Sequence, residues 1–260
     1  MNAVHNQTWW GFALRQVFAF ENHLRAHLMQ LPLTMYQEWH QLLFAHWPVP
    51  PEMLRPHIPA ALRLETFDGV AWIGVVPFHM RNIHLHGGIP LIGAHAFAEL
   101  NVRTYVRHGD HAGVWFFSLD AASRLAVWGA RRFFHLPYFY ADMHTHREGE
   151  TVVYRSQRRD ARGHPARFVA TYAPSGAPFQ ATPGTLEHFL TERYCLFAAD
   201  NHGRLYRGDI RHTPWPLQPA TATISENSMW LPEWQRPTQA PLLHYAEQLH
   251  VEILPLVRIS

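Results

Sequence analysis

The stretch Leu62-Arg63-Leu64-Glu65-Thr66-Phe67-Asp68-Gly69-Val70-Ala71-Trp72-Ile73-Gly74-Val75-Val76-Pro77 holds two extended runs, Leu62 to Phe67 and Val70 to Pro77, joined by Asp68-Gly69. Asp-Gly between β-rich runs signals a two-residue hairpin, because both turn positions need positive φ and these residues accept it. An antiparallel ladder therefore starts here. Outward from it, Glu99 to Val106, Gly113 to Leu119, Tyr138 to His146, Thr151 to Arg158 and Arg167 to Tyr172 read as further strands. Glu148-Gly149 and Arg162-Gly163-His164-Pro165 supply turns between them. Asn201-His202-Gly203 turns the chain into Arg204 to Ile210, and Val251 to Ile259 reads as a last strand. Helices are few. One is predicted from Leu186 to Arg193, after Thr182-Pro183 where a cap and a first-turn proline belong, and a shorter one from Leu242 to Gln248. Pro214, Pro216 and Pro219 stiffen the connection between these regions.

Composition sets the frame. A chain of 260 residues with 47% hydrophobic content can bury a large core as one domain. With 10 Trp, 16 Phe and 9 Tyr against 16% charged residues, many rings must pack together or line a pocket. The formal charge of +2 and the scatter of arginines leave no basic face, which argues against a nucleic-acid partner. Cys195 is the single cysteine, so an intramolecular disulfide and a cysteine metal cluster are both excluded, and a cytoplasmic setting fits. All 22 basic residues counted as Lys or Arg are Arg. Residues 1–34 read as a helical arm, with Trp10, Leu14, Val17, Leu24, Leu28 and Leu31 at near-helical spacing. Charges interrupt it well short of a membrane span, and no basic leader marks it as a secretion signal. The arm can pack on its own domain, serve a homo-oligomer contact or lie on a membrane surface. Residues 35–260 form the second unit.

Two polar clusters carry the functional reading. Strand alternation puts Glu99, Asn101, Arg103 and Tyr105 on one face of a strand. An acid, an amide, a guanidinium and a phenol are what a small carboxylate or carbonyl compound would meet: Arg grips a carboxylate in two places and Glu moves a proton. The same face can equally look at water, as half-solvated strands do. The second cluster is Arg131, Arg132, His135, Tyr138 and Tyr140, where His135 is a candidate acid or base because imidazole titrates near neutrality. A surface arginine pair beside a core-edge histidine explains it as well. The pairs His23 with His27, His84 with His86 and His144 with His146 have ligand spacing, but among 21 His such pairs arise by chance, and no metal is expected. Phosphate loops, nucleophile elbows and cofactor fingerprints are absent from the sequence, so no cofactor is expected either.

The segments Leu42-Leu43-Phe44-Ala45-His46-Trp47-Pro48-Val49-Pro50, Thr66-Phe67-Asp68-Gly69, Glu99 to Val106, Trp115-Phe116-Phe117-Ser118-Leu119-Asp120, Leu186 to Cys195 and Trp215-Pro216-Leu217 carry a resemblance. Over residues 35–259 the chain resembles the YqjF-like family, within the acetoacetate decarboxylase-like superfamily. That resemblance implies a mainly β (α+β) fold: a closed, cone-shaped β-barrel with a few peripheral helices and an interior cavity. In the decarboxylases a lysine forms a Schiff base with the substrate, while a glutamate and an arginine line the cavity. The resemblance sets Glu99 at the glutamate, His40 near the arginine, and the lysine within residues 133–137, where this chain has none. Lysine occurs nowhere else in the chain, and Arg stays protonated, so Schiff-base decarboxylation is not expected. Two readings follow. One is an acid–base enzyme, lyase- or isomerase-like, acting on a small carbonyl or carboxylate compound. It would use Glu99 and His135 for proton transfer and Arg103, Asn101, Tyr105, His40 and Arg132 to hold the ligand. The other is a small-molecule-binding protein that kept the barrel without the chemistry.

Overall fold

The computed structural model describes residues 35–91 and 96–259. The first strands in chain order are β1 (Met35–Val49), β2 (Arg63–Leu64), β3 (Ala71–Leu85), β4 (Ile89–Pro90), β5 (Phe97–His108) and β6 (His111–Ala121). They are followed by β7 (Tyr138–Glu148), β8 (Thr151–Arg158), β9 (Arg167–Pro174), β10 (Cys195–Ala199), β11 (Leu205–Arg211), β12 (Gln218–Asn227) and β13 (Leu242–Arg258). Three helices interrupt them: α1 (Pro51–Leu54), α2 (Arg124–Phe133) and α3 (Leu186–Thr191). The chain is thus mainly β, and its strands join into one large sheet. No helix among the described residues is long and apolar enough to cross a membrane.

Neighbour pairing returns on itself in two circuits. One runs β1–β3–β5–β6–β10–β11–β13 and back to β1. The other leaves β6 for β7, β8, β9 and β12 before rejoining β13. Their common stretch, with β1, β3 and β5 at its centre, is therefore a wall between two cores. Leu43, Ala45, Ile73, Val75, Leu100 and Val102 enter the core that Tyr154 and Phe168 fill from β8 and β9. Leu42, Phe44, Val76, Phe78 and Tyr105 enter the core that Leu196 and Ile210 fill from β10 and β11. A strand in such a wall has no wet face, which is why residues 97–106 are all buried.

One irregularity in the wall decides which side chains meet. The β1–β3 ladder pairs His40 with His79 and next pairs Ala45 with Val75, so residues 41–44 of β1 face residues 76–78 of β3. This is a β-bulge of one residue. Gln41 takes it up at φ 55°, and its carbonyl accepts a hydrogen bond from the Tyr172 hydroxyl at 2.8 Å. Pro77, which has no N–H to give to a ladder, lies in the segment opposite. The extra residue inverts the alternation. Trp39 before the bulge and Leu42, Phe44 and His46 after it then share one face.

Several expectations hold and several need correction. Phe67 pairs with Val70 across Asp68 and Gly69, at φ 50° and 80°, so the tight turn forms, but the ladder expected to follow from it does not: this is an isolated bridge, and Arg63 and Leu64 pair with β5 rather than β3. The helix at 186 ends at Thr191, and its cap is Thr185 rather than Thr182, with the Thr185 hydroxyl accepting from the His188 N–H. Leu242 to Gln248 is not a helix. It opens the 17-residue strand β13, because Leu242 to Ala246 pair with β1 at Leu42 to His46. Residues 124–133 are a helix, begun by Ser123 accepting from the Ala126 N–H at 3.2 Å, so Arg131 and Arg132 are helical neighbours rather than strand ones. The proposed N-terminal arm, with His23 and His27, lies outside the described residues.

Candidate functional site

Glu99, Asn101, Arg103 and Tyr105 do share a face, and it is buried: their exposures are 2%, 5%, 9% and 0%. They enter the core of the circuit through β10 and β11, and the wall folded around them excludes the solvated alternative. Glu99 accepts a hydrogen bond from the Tyr138 hydroxyl at 2.8 Å. Burial pushes its carboxyl up to about 8, partly opposed by that hydrogen bond and reinforced by the charge of Asp120. A carboxyl that changes protonation near neutral pH suits proton transfer.

Three positions further along the face from Glu99, a second cluster forms around Tyr105. Its hydroxyl lies 2.6 Å from Nε2 of His46 and is also hydrogen-bonded to the Arg103 side chain. His46 is fully buried, and desolvation, with the charges of Arg103 and His244, holds its imidazole neutral. We assign the hydroxyl proton toward Nε2, since Arg103 can only donate to the phenol; the imidazole proton then sits on Nδ1. Gly74, the cross-strand neighbour of both His46 and Arg103, makes room for them. A Cβ there would stand 3.0 Å from two atoms of the imidazole.

Arg103 is the unusual member. Among the described residues no carboxylate lies within ion-pair reach of it, its Nε has no acceptor, and its guanidinium lies 5.4 Å from the centroid of the Phe44 ring. Other unpaired buried atoms belong to the same side of the wall: Asn101 Oδ1, His46 Nδ1, and Nδ1 of His244, which pairs with Phe44 across β13 and β1. Buried polar atoms normally have partners, so a face that keeps a guanidinium Nε, two imidazole nitrogens and an amide oxygen without partners among the described residues is exceptional.

The remaining candidates lie elsewhere. His40 precedes the bulge and therefore belongs to the opposite face from Glu99; it is bound to Glu38 at 3.0 Å. His46, after the bulge, lies instead on the face of Glu99, beside Tyr105. Arg132 and His135 line a surface cleft between β10 and β7 that none of residues 99, 101, 103 and 105 reaches. His46 and His244 carried no role in the sequence reading, and Tyr138 was expected in the cluster with His135 rather than beside Glu99. The signal for His46 was Pro77: a proline inside a strand flanked on both sides implies a bulge beside it, and so the switch from His40 to His46. No group of three His, Cys, Asp or Glu among the described residues could hold a metal ion. Cys195 is buried and free, its thiol pushed up to about 11 by burial.

The fold these strands build, of the mainly β class, is similar to that of acetoacetate decarboxylase. The enduracididine biosynthesis enzyme MppR complexed with pyruvate superposes with a TM-score of 0.64 at 11% identity, covering 89% of this chain and 92% of MppR. Acetoacetate decarboxylase from Legionella pneumophila subsp. pneumophila str. Philadelphia 1 gives 0.58 at 13% identity and 88% of both chains. An acetoacetate decarboxylase-like enzyme from Sphingomonas wittichii RW1 gives 0.61 at 13% identity, with 87% and 93% covered. Within that class, the chain belongs to the DUF2071 family, described as "Uncharacterized conserved protein", which matches residues 36–250. The protein YqjF of Bacillus subtilis (strain 168) is 47% identical over 233 residues, 87% of this chain and 93% of YqjF.

Proposed function

We propose that this protein is an acid–base enzyme acting on a short-chain carboxylate that carries a carbonyl, bound inside the circuit of seven strands, which closes as a cone-shaped barrel. The observation that carries the reading is Arg103, nine-tenths buried with no carboxylate partner among the described residues. A guanidinium left this way recovers its desolvation cost by pairing with the ligand carboxylate. Asn101 orients the carbonyl through its amide N–H, Tyr105, with its proton given to His46, holds Arg103 in place, and Glu99 moves the proton next to the carbonyl. Positions 99 and 103 lie roughly 13 Å apart along the strand. Their side chains must therefore lean together over Asn101 to engage one ligand, with the carboxylate at one end and the acidic carbon at the other. The chemistry is enolisation: Glu99 as carboxylate accepts the α-proton, the enolate forms, and Glu99 returns the proton to carbon. Without a lysine no imine is made. A structure of the same fold complexed with pyruvate makes a 2-oxo acid the first probe.

The test is exchange of the α-hydrogens of pyruvate and acetoacetate in D2O, followed by proton NMR. Wild-type protein is expected to accelerate exchange, Glu99→Gln to reduce it by at least about a hundredfold, in line with removal of a proton carrier, and Arg103→Met to raise KM. Exchange at the wild-type rate in Glu99→Gln would remove Glu99 from the chemistry. Tight binding without exchange would instead establish the rival reading, a binding protein on the same fold, which the lack of lysine favours. No binding of either acid would end both.

A further inference from the structure

We propose a second ligand site, separate from the buried face, in the cleft between β10 and β7: a site for a compound that joins a flat aromatic ring to a multiply charged phosphate head. The cleft arises where β6 changes partner. Val114 and Trp115 pair with β10, whereas Leu119 to Ala121 pair with β7, and on that edge residues 116–118 have neither. Across the other edge, Val102 faces Ser118 and Arg103 faces Phe116, so Phe117 is the extra residue of a bulge. Two neighbouring strands diverge around an unpaired stretch, and the gap holds about 740 Å³, the size of a site for a mononucleotide-sized ligand.

Its walls divide the two chemistries. Trp115, Phe116, Phe117 and Phe139 give a half-buried aromatic floor. Arg131, Arg132, Arg162 and Arg204 give the rim, against Asp200 as the single acid in the lining. Arg204 is spent on Asp200 and Arg162 on Asp160. Arg131 donates to the Tyr138 carbonyl at 2.9 Å, and neither it nor Arg132 has a carboxylate in reach among the described residues. Arg132, and the Arg131 donors left over from the Tyr138 carbonyl, face no carboxylate among the described residues, and Arg131 stands beside the Phe139 ring of the floor, which suits the pair to bind a ring by stacking and a phosphate by hydrogen bonds. A backbone feature points the same way. His135 follows the end of α2 at φ 53°, a conformation that glycine adopts at no cost, yet an imidazole stands there, 4.8 Å from the Tyr206 ring and in the cleft lining. Local strain kept where a functional side chain faces a cleft is typical of a binding site.

The experiment is calorimetric titration with ADP, with adenosine and pyrophosphate as the two halves of the probe, and quenching of tryptophan fluorescence as the second readout. One ADP is expected to bind per chain, at least ten times more tightly than either half, with affinity falling as salt rises. Arg132→Glu, shown to be folded by its circular dichroism, is expected to weaken ADP at least tenfold, and Arg132→Lys to recover most of it. ADP binding no tighter than pyrophosphate or adenosine, or binding unchanged in Arg132→Glu, overturns the proposal. Because pyruvate exchange is read separately, failure here leaves the reading of the buried face standing, and the reverse holds too.

Discussion

Two buried arginines separate what holds the fold together from what the fold leaves available. Arg158, on β8, is sealed against Asp120 with side-chain exposures of 1% and 0%. Its Nε lies 3.1 Å from both carboxylate oxygens, its Nη2 2.6 Å from one of them, and its Nη1 donates to the His164 carbonyl while the Phe139 ring lies 4.3 Å from its centre. Every direction of that guanidinium is spoken for. Arg103, on β5, has a phenol, a ring beneath it, and no acid among the described residues. A closed ion pair adds specificity to packing. An open cation of the same burial is a standing cost that a ligand can offset.

The largest effect that would sharpen this contrast comes from breaking the closed pair. Arg158→Ala leaves the Asp120 carboxylate in a dry core already unfavourable to its charge, where burial raises its pKa. The loss should be roughly 3–5 kcal/mol, read as a fall in the urea midpoint, with much less than this in Arg158→Ala/Asp120→Ala once no charge remains. A single variant with wild-type stability would break the comparison, because the pair would then be no more structural than Arg103.

Next in size is the pH dependence set by Glu99. Folded Glu99 holds its proton to about pH 8, whereas a glutamate in the unfolded chain releases it near 4.5. Between those values the folded state binds more protons than the unfolded one, so stability from this group is complete below pH 4.5 and drains away as pH rises through 8. At about 1.4 kcal/mol per pKa unit the drain is on the order of a few kcal/mol. Glu99→Gln should remove that part of the slope and make the protein relatively more stable at pH 8 than at pH 5. Parallel stability profiles for the two proteins would place the Glu99 carboxyl in a far wetter setting than its contacts with Tyr138 imply.

Much of the architecture was legible, for reasons visible in particular residues. Asp68-Gly69 marked a tight turn because few other pairs tolerate it, though the run before it pairs with β5 instead of across the turn, and Glu99 to Val106 alternated cleanly, so its shared polar face was legible before its burial was known. What the strand pattern could not say was that β5 belongs to a wall with a core on each side; alternation reports two faces, not what covers them. Leu242 to Gln248 misled because its short apolar run suits either period until β1 claims it as a partner. The site was half legible for one reason, the bulge at Gln41. The resemblance set His40 near the arginine of the decarboxylases, whereas the register shift opposite Pro77 turns it to the face away from Glu99 and brings His46 to 2.6 Å from Tyr105. Tyr138 was read into the cluster with His135, and its contact with Glu99 escaped because the two come from different strands, 39 positions apart in sequence.

The smallest expected effect is the most telling one. Arg103→Met fills the same volume with an apolar chain, removes the buried charge and its unpaired Nε, and gives up the contact with Phe44 and the hydrogen bond to Tyr105. Lost interactions of about 1 kcal/mol each stand against a desolvation cost at least as large that the variant no longer bears. The expected change in stability is within about 1 kcal/mol of zero, with a gain as natural as a loss. A two-state urea titration without ligand checks it, and the same titration with saturating pyruvate should stabilise the wild type while leaving Arg103→Met unmoved. If Arg103→Met instead collapsed like Arg158→Ala, Arg103 would be a structural residue whose partners are already complete. The buried polar face would then lose its claim to be a binding site.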